Sequence, residues 1–490
     1  MLLTADLPIY RQLAAHYQGA MEQGTLAPGA RMPSVRELMS RHGVSLSTAL
    51  QSLRHLEASG CLEARPRVGY FVRDARAALL SDSTEPDLKR PLPLDENQFS
   101  GINERISMVL EKGRRASIKV DLGSATPDAS LFDAALINRT AATLLREQPH
   151  LLVQHRAIQG THPDFQSSMA RRALDAGLRF APQDILATTG NSEAMTLALA
   201  AVTQPGDMVA VESPTYYGLL QAMEVQKLDV LEIPSSARTG ISLEALELAI
   251  RTQPRLKAVV VVPHLQTPQG AVMPDAAKQR LVELCRDNDL AVIEDDSYGL
   301  FVESAQLARP AKAWDDSGHV VYCVSLNKTL GPGLRLGWMN AGRWHARVQM
   351  LKFAQTRSVP AWSQLVAARC MAAPAFERHL ARLKVRLKAQ RERMAQAIAR
   401  HFPPGTRLTL PPGGLSLWLE LPPGLSSSVL FELALLQGIR VSPGPLFSNT
   451  GRYERFMRMA CGMPFTPEIE WACRELGLIA QRMQAEAGRP

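Results

Sequence analysis

From about residue 119 to its end, the chain alternates short apolar runs with amphipathic helical patterns. The strand candidates are Val209–Val211, Val230–Ile233, Val259–Val262, Ala291–Ile293 and Val320–Val324. The helix candidates between them include Ser192–Val202, Leu243–Ile250 and Ala276–Arg286. Continuous apolar runs are typical of strands that helices cover on both faces of a parallel sheet. The alternation therefore predicts an α/β fold with a mainly parallel sheet.

The length and charge of the chain set wide limits on its function. A chain of 490 residues suggests two to four domains, at roughly 150 residues per domain. Its 55 Lys and Arg against 47 Asp and Glu leave a formal charge of +8. That balance excludes an acidic disordered chain, and it permits a nucleic-acid partner without demonstrating one. A basic soluble enzyme fits the same numbers equally well.

The cellular location is expected to be the cytoplasm. No apolar stretch resembling a signal peptide follows the N-terminus, and runs such as 258–262 are too short to cross a bilayer. The six cysteines form no C-x-x-C pair and no disulfide or metal-site spacing. We therefore expect reduced thiols, no metal and no membrane association.

Composition divides the chain into three parts. Residues 1–75 are helical and end in a β-like stretch, whereas residues 76–118 contain a Ser-, Asp- and Pro-rich segment that favours extended chain. We interpret 76–118 as a linker with an amphipathic helix near 102–110, long enough to let the first part move. Residues 119–490 form the α/β part, with a smaller C-terminal subdomain from about 365 to 490.

The first part carries the pattern of a winged helix-turn-helix. Ser34 and Glu37 have the spacing of a capping box, and Ser45 can cap a second helix after the turn at Gly43. Cys61–Ala64 and Gly69–Val72 follow as two short strands that predict a wing. Hydroxyls and arginines at helix N-termini suit phosphates and base edges.

This segment resembles the winged-helix domain of the GntR regulators. The resemblance implies that the second helix of the motif enters the major groove, that the wing touches the minor groove, and that DNA contacts come from Ser34, Arg36, Ser45, Ser47, Thr48, Arg67 and Gly69. Leu46 stands where the family often has arginine, and neighbouring Leu50 and Gln51 are not basic. A helix-turn-helix that makes only protein contacts is the alternative, which the wing arginines disfavour. Residues 1–76 hold nine arginines and six acids, a charge of only +3. DNA binding is therefore inferred from the positions of the arginines and not from the net charge.

The strongest local motif runs from Ser325 to Gly337, directly after an apolar strand. In this segment the amine of Lys328 can form a Schiff base with an aldehyde, while Ser325 and Arg335 can hold a phosphate. A lone surface lysine is the alternative, which the surrounding small residues disfavour. The motif therefore indicates an aldehyde-phosphate cofactor.

With this motif, the chain from about residue 119 resembles the fold-type I aminotransferases, which implies the cofactor pyridoxal 5'-phosphate (PLP). Asn191 and Ser192 open a helix after a strand, a place suited to the phosphate. The resemblance implies that Tyr216 stacks on the pyridine and that Asp295 contacts its nitrogen. The resemblance also implies that Tyr298 contacts the phenolic oxygen of PLP.

Three further positions concern the substrate end and the departures from the family. Arg458 aligns with the arginine that grips an α-carboxylate. Thr267 stands where many aminotransferases have an asparagine on the phenolic oxygen, so it weakens the expectation of transamination. Asn327 beside the lysine is a second departure. Asp296 is a less suitable partner for the pyridine than its neighbour, and a buried Asp can also be a structural cap.

The joint pattern resembles the MocR branch of the GntR regulators. It implies a homodimeric transcription regulator whose large domain senses PLP or an amino compound that reacts with it, with the DNA-binding domain of one chain over the large domain of the other. Lys328 is the residue expected to act on the ligand. A working aminotransferase with an accessory DNA-binding domain is the competing hypothesis, and a DNA-binding scaffold with a decayed cofactor domain is the least favoured. Effector, operator and direction of control stay open.

Overall fold

The computed structural model describes residues 8–22, 25–27, 29–59, 61–65, 68–72, 80–85, 101–153, 160–303 and 308–487. It divides into two compact units, an N-terminal unit, Met1–Leu79, and a C-terminal unit, Leu80–Pro490.

The N-terminal unit is a three-helix motif followed by a β-hairpin. Its elements are α1 (Ile9–Glu22), α2 (Val35–His42), α3 (Leu46–Ala58), β1 (Leu62–Arg65) and β2 (Gly69–Val72). The two strands are antiparallel, with Leu62 opposite Val72. Leu13, Leu38 and Leu53 bury their side chains at the centre of the unit. The predicted winged helix-turn-helix is confirmed.

Local hydrogen bonds explain why the two helices of the motif begin and end where they do. Ser34 Oγ accepts from Glu37 N at 3.3 Å, and the Glu37 carboxylate accepts from Ser34 N at 2.7 Å. This reciprocal pair is the predicted capping box, which satisfies two free helix N–H groups. Gly43 ends α2 with φ of 63°, which glycine adopts without steric cost. Ser45 Oγ accepts from Thr48 N and so starts α3.

The C-terminal unit contains helices and strands in alternation. The helices are α4 (Ile102–Arg115), α5 (Ala134–Glu147), α6 (Pro163–Asp175), α7 (Asn191–Val202), α8 (Tyr217–Val225), α9 (Leu243–Thr252), α10 (Asp275–Asp287), α11 (His345–Gln355), α12 (Ala361–Ala372), α13 (Pro374–His401), α14 (Ser427–Leu436) and α15 (Pro467–Ala487). The strands are β3 (Val120–Asp121), β4 (Leu186–Thr188), β5 (Met208–Ser213), β6 (Asp229–Ser236), β7 (Gly240–Ile241), β8 (Leu256–Val261), β9 (Ala291–Asp295), β10 (Val320–Ser325), β11 (Gly337–Asn340), β12 (Arg407–Leu408), β13 (Ser416–Glu420), β14 (Ile439–Arg440), β15 (Ser442–Pro443) and β16 (Phe456–Ala460).

The larger sheet has eight strands in the order β4-β11-β10-β9-β8-β5-β6-β7. Its five central strands are parallel, and they contain the five apolar runs predicted from the sequence. β11 runs antiparallel to β10 and β4, and β7 runs antiparallel to β6. Val259 and Val292 face each other across β8 and β9, and both are fully buried. The predicted α/β fold with a mainly parallel sheet is confirmed.

The smaller sheet has four strands in the order β12-β13-β16-β15. Helices α13, α14 and α15 supply buried residues to its core. Trp418 on β13 is 2% exposed and stacks on Phe456 of β16 with ring centroids 5.6 Å apart. β3 pairs with β14 in parallel, so residues near 120 also join this part of the unit.

Parts of the predicted linker, 76–118, pack against the C-terminal unit. Helix α4 buries Ile102 and Ile106 against the core of the larger sheet. The segment 80–85 contacts the smaller sheet. Among the described residues, no helix is both long and apolar enough to cross a membrane. In the same ranges, no group of His, Cys, Asp and Glu side chains could hold a metal ion.

Candidate functional site

A cavity of about 340 Å³ lies where the carboxyl ends of the parallel strands meet. Such an edge is the usual place for ligands in open α/β sheets, because the loops that follow successive strands converge there. The ten residues that the sequence predicts for cofactor and carboxylate all line it: Asn191, Ser192, Tyr216, Thr267, Asp295, Tyr298, Ser325, Lys328, Arg335 and Arg458. The structure therefore brings together side chains that are up to 267 positions apart in sequence.

One end of the cavity, which we call the anion end, combines the N-terminus of a helix with a guanidinium. Gly190, with φ of 80°, precedes α7, whose first N–H groups open at Asn191 and Ser192. A Cβ at Gly190 would lie 3.2 Å from Asn327 Nδ2, a tight contact, and 3.7 Å from a guanidinium nitrogen of Arg335, so the close approach and the positive φ both favour glycine. The amide oxygen of Asn191 is buried and has no hydrogen-bond partner among the described residues.

Arg335 reaches this anion end from a strained backbone. Its φ of 48° and ψ of 49° place a non-glycine residue in the left-handed region, which costs about 1–3 kcal/mol. Its guanidinium lies beside Gly190 at the N-terminus of α7. A cation and free helix N–H groups at one point suit a phosphate.

Lys328 and Asp295 approach the middle of the cavity from neighbouring strands. β9 ends at Asp295, which lies opposite Cys323 of the parallel strand β10, and Lys328 follows β10. Lys328 Nζ donates to the Ala125 carbonyl at 2.7 Å and lies 5.6 Å from the ring centroid of Tyr298. Burial raises the pKa of Asp295, and hydrogen bonds from Ser297 oppose that rise.

Tyr216 and Thr267 complete the walls around the amine. The ring of Tyr216 lies against the Cα of Gly218, where an added Cβ would come within 2.5 Å of it. Burial raises the pKa of Tyr216 above the usual value for a tyrosine. Thr267 is 7% exposed and faces the same cavity.

Arg458 enters from the smaller sheet, on β16, and is 3% exposed. Its Nη2 donates to the Gly123 carbonyl at 2.6 Å and to Ser442 Oγ at 3.3 Å. Its Nε is buried and finds no hydrogen-bond partner among the described residues. A buried guanidinium with a free donor is costly unless an anion completes it, so the geometry suits a ligand carboxylate.

Several lining residues of the cavity carry no signal in the sequence. Ser124, Ala125 and Thr126 lie about 200 positions before Lys328, and nothing in their own pattern marks them. Tyr217, next to a predicted residue, also lines the cavity. Asn327, noted only as a departure, faces the anion end and has a buried, unpartnered amide oxygen within the described ranges.

Asp296 belongs to a buried polar network. Its carboxylate contacts His264 Nδ1 at 2.6 Å and accepts from the Tyr322 hydroxyl at 2.5 Å. Lys278 Nζ lies 2.9 Å from His264 Nε2. Asp296 is absent from the cavity lining, whereas its neighbour Asp295 is part of it.

The predicted DNA contacts lie at the start of α2, at the start of α3 and on the wing. Ser34, Arg36, Ser45 and Ser47 are exposed, and Thr48 and Gly69 are partly exposed. Ser45 Oγ lies 2.9 Å from the hydroxyls of both Ser47 and Thr48. Leu46 is 60% exposed on the same turn. Arg67 lies outside the described residues.

Glu212 makes the stability of the chain depend on pH. Burial raises its pKa to about 8 from the usual 4.5, although Val262 N donates to it at 2.9 Å. Between these two values the folded chain holds a proton that the unfolded chain releases, so stability falls as pH rises through this range. The free energy of unfolding of Glu212→Gln, relative to that of the wild type, should therefore rise between pH 5 and pH 8 by on the order of 3–5 kcal/mol.

The free energy of unfolding in urea, measured for the PLP-free chain at pH 5 and at pH 8, tests this change. Glu104→Gln, on the exposed side of α4, is the control and should unfold in parallel with the wild type at both values. An unchanged difference between Glu212→Gln and the wild type across the range would contradict the raised pKa.

The fold and cavity define a winged-helix protein fused to an aminotransferase-like domain. Residues 148–475 match the family "Aminotransferase class I and II", whose fold family is PLP-dependent, and residues 9–72 match "Bacterial regulatory proteins, gntR family". The chain therefore belongs to the class I and II aminotransferase family and, with its GntR domain, to the HTH-type transcriptional regulators of MocR architecture.

Three similar proteins represent both halves. The uncharacterized HTH-type transcriptional regulator YjiR of Escherichia coli (strain K12) is 33% identical over 476 residues, covering 96% of this chain and 99% of YjiR. Aromatic-amino-acid aminotransferase 1 of Thermococcus litoralis is 27% identical over 71% of this chain and 84% of its own length. The structure of LysN, the α-aminoadipate aminotransferase of Thermus thermophilus complexed with N-(5'-phosphopyridoxyl)-L-leucine, has a TM-score of 0.70 at 27% identity, covering 80% of this chain and all of LysN.

Proposed function

We propose that this chain is a transcription regulator whose cavity binds PLP and an amino compound, and whose DNA binding responds to that occupancy. The observation that carries the proposal is the convergence of Lys328, Asp295, Arg335 and Arg458 on one cavity. A phosphate-accepting end, an amine, a half-buried acid and a guanidinium with an unpartnered Nε match the groups of PLP and of an amino acid. PLP, when bound, supplies an aldehyde that reacts with amines and a ring that accepts electrons.

Each side chain then has a role set by its position. The N-terminus of α7 and Arg335 would hold the phosphate, with Ser325 beside them. Lys328 would bind the aldehyde covalently, since it is the lysine of the cavity lining. Asp295 would contact the pyridine nitrogen and hold its proton, while Tyr216, Tyr298 and Thr267 would border the ring.

Arg458 connects ligand binding to the arrangement of the two sheets. It belongs to the smaller sheet, whereas Lys328 and Asp295 follow strands of the larger one. A ligand whose carboxylate binds Arg458 and whose amine lies at Lys328 favours one spacing of the sheets over others. A ligand changes an equilibrium only by this differential binding.

We further propose that the chain is a homodimer, which would present two winged helices to an operator. The exposed residues of α2 and α3 would contact its bases and phosphates.

The test of the proposal is DNA binding with and without PLP. The full chain is used to select a binding site from random-sequence DNA, and its Kd for that site is measured before and after saturation with PLP and with PLP plus amino acids. We expect at least one of these additions to change the Kd about fivefold or more. A Kd that stays constant under all of them, while PLP is bound, would refute the regulator proposal.

A second candidate function is transamination, because the lysine, acid and arginine that such chemistry requires all line the cavity. Thr267 disfavours it, since a threonine hydroxyl has a shorter reach than the amide of asparagine. Multiple turnovers of an amino donor and a keto acid, together with DNA binding that ignores both, would favour this alternative.

Arg458→Gln should discriminate among ligands by their carboxylate. We expect a loss of affinity for amino acids of about tenfold to a hundredfold, because a charge-assisted hydrogen bond contributes about 1.5–3 kcal/mol. Amines of the same skeleton without the carboxylate should bind wild type and variant alike. The measurement is titration of the cofactor absorbance of the PLP-loaded protein, and an equal loss for both ligand classes would contradict a carboxylate contact.

A further inference from the structure

Residues 80–85, which we call the strap, lie against the edge of the smaller sheet. Leu408 N, on β12, donates to the Ser81 carbonyl at 2.9 Å. Ser83 N donates to Thr409 Oγ1 at 3.0 Å, and the two hydroxyls of Ser83 and Thr409 lie 3.1 Å apart. Leu80 packs against the core of the same sheet. The strap is therefore attached by both backbone and side chain at the point where the C-terminal unit begins.

The strongest attachment is at Glu420, the last residue of β13. This carboxylate is 3% exposed and accepts from Thr84 N at 2.6 Å and from Thr84 Oγ1 at 2.7 Å. Arg455 is its further partner, at 2.9 Å. Hydrogen bonds to a buried charge are among the strongest in proteins, and a buried carboxylate that loses them is destabilised. Releasing the strap would remove donors that Glu420 needs.

The strap also contacts the larger sheet. Asp82 forms an ion pair with Arg238, which lies in the turn between β6 and β7. Glu85 lines a small pocket together with Glu232 of β6 and with Arg452 and Tyr453. The strap thus bridges the two sheets, and the same two sheets share the ligand cavity.

The register of the smaller sheet links the strap to the ligand site. Trp418 lies opposite Arg458, and Glu420 lies opposite Phe456, so the two positions are separated by two residues, about 7 Å along the strand. A displacement of Arg458 toward a bound carboxylate would be passed to β13, which pairs with the strand of Arg458 and ends at Glu420. In the sequence, seven residues, which we call the tether, separate Val72, at the end of β2, from Leu80.

We infer that the strap is the element that couples occupancy of the cavity to the DNA-binding unit, through Thr84 on Glu420 and Asp82 on Arg238. This inference rests on the proposed function. It replaces passive transmission through the long predicted linker, 76–118, by a specific contact of residues 80–85 with the two sheets. A ligand that bridges both sheets changes their spacing, and the strap carries that change to the tether.

The test compares a strap variant with a matched control in the full chain. Ser83→Ala combined with Thr84→Val removes the hydroxyls that bind Thr409 and Glu420. Ser81→Ala is the control, because Ser81 is exposed and binds the sheet through its backbone carbonyl. The probe is N-(5'-phosphopyridoxyl)-L-leucine, which has both a phosphate and a carboxylate and so can reach both sheets.

Two quantities are measured with and without the probe: the Kd for the selected DNA site and the amide hydrogen exchange of residues 80–85. In wild type and control, we expect the probe to change the DNA Kd about fivefold or more and to change exchange at Ser83 and Thr84. In the strap variant, the probe should still bind within about twofold of the wild type while its effect on DNA Kd falls below about twofold. A strap variant with the full wild-type response would overturn the inference.

The outcomes separate this inference from the proposed function. If the probe binds the wild type but leaves its DNA Kd unchanged, the proposed regulation by ligand fails. The coupling of the strap to the DNA-binding unit then fails as well, and exchange tests only the step from the cavity to the strap. A probe-dependent change at Ser83 and Thr84 would support coupling between cavity and strap, and exchange as fast as in an unstructured peptide, or no response to the probe, would overturn it.

Discussion

Lys328→Ala should abolish covalent attachment of PLP. In the wild type, borohydride reduction of the PLP-loaded chain should leave a mass increase on the peptide that contains Lys328, and the visible absorbance of the bound cofactor should be lost in the variant. The reason is positional, because Lys328 is the lysine that lines the cavity, between Asp295 and Tyr298. Its amine is held by one carbonyl, that of Ala125, at 2.7 Å, which an aldehyde can replace.

Lys257→Ala is the matched control for this prediction. Lys257 lies on β8 of the same sheet and is exposed, so its removal should leave both label and absorbance at the wild-type level. Thermal unfolding of both variants shows whether the fold is retained. A reduced mass label on any other lysine, or visible absorbance that survives in Lys328→Ala, would refute the assignment.

Arg335→Met should weaken PLP binding by about tenfold to more than a hundredfold, because it removes charge-assisted hydrogen bonds of about 1.5–3 kcal/mol to the phosphate. Methionine keeps an unbranched apolar stem without the guanidinium, and it meets the same backbone cost as arginine at φ of 48°. The Kd follows from titration of the PLP-free protein with PLP and, separately, with pyridoxal, which lacks the phosphate.

The comparison of the two ligands gives this prediction its control. Wild type should prefer PLP strongly over pyridoxal, and the variant should lose most of that preference while its affinity for pyridoxal stays nearly constant. Arg347→Met, an exposed arginine on α11, should behave as the wild type with both ligands. A parallel loss for PLP and pyridoxal would mean that Arg335 supports the fold of the site instead of binding phosphate.

Local sequence was sufficient for the elements and for several contacts within them. The capping box of Ser34 and Glu37, the left-handed turn at Gly43 and the five parallel strands follow from short-range spacing, because caps, turns and periodicity depend on neighbours within a few residues. The motif at Lys328 was visible for the same reason, since a strand, a small-residue loop and an arginine lie within sixteen positions, 320–335.

Contacts between distant segments could not be predicted from the sequence. The Ala125 carbonyl on Lys328, the Gly123 carbonyl on Arg458 and the bond from Thr84 to Glu420 join positions 203 to 336 residues apart. No local pattern encodes such pairs, because the pairing depends on strand order and on the closing of one sheet against the other. The Ser- and Pro-rich composition around residues 81–93 predicted a linker, yet folding places residues 80–85 of it on the smaller sheet.

From the sequence alone, the alternation of apolar runs and helices determined the α/β class, and capping and turn residues determined the winged helix. The Lys328 motif and the family resemblance indicated the residue types of the cavity. Only the tertiary structure decided that ten residues share one cavity, that Arg458 comes from a different sheet than Lys328, and that a strap connects the two sheets. The physical reason is that strand order and packing of the two sheets, which are long-range properties of the whole chain, set these distances.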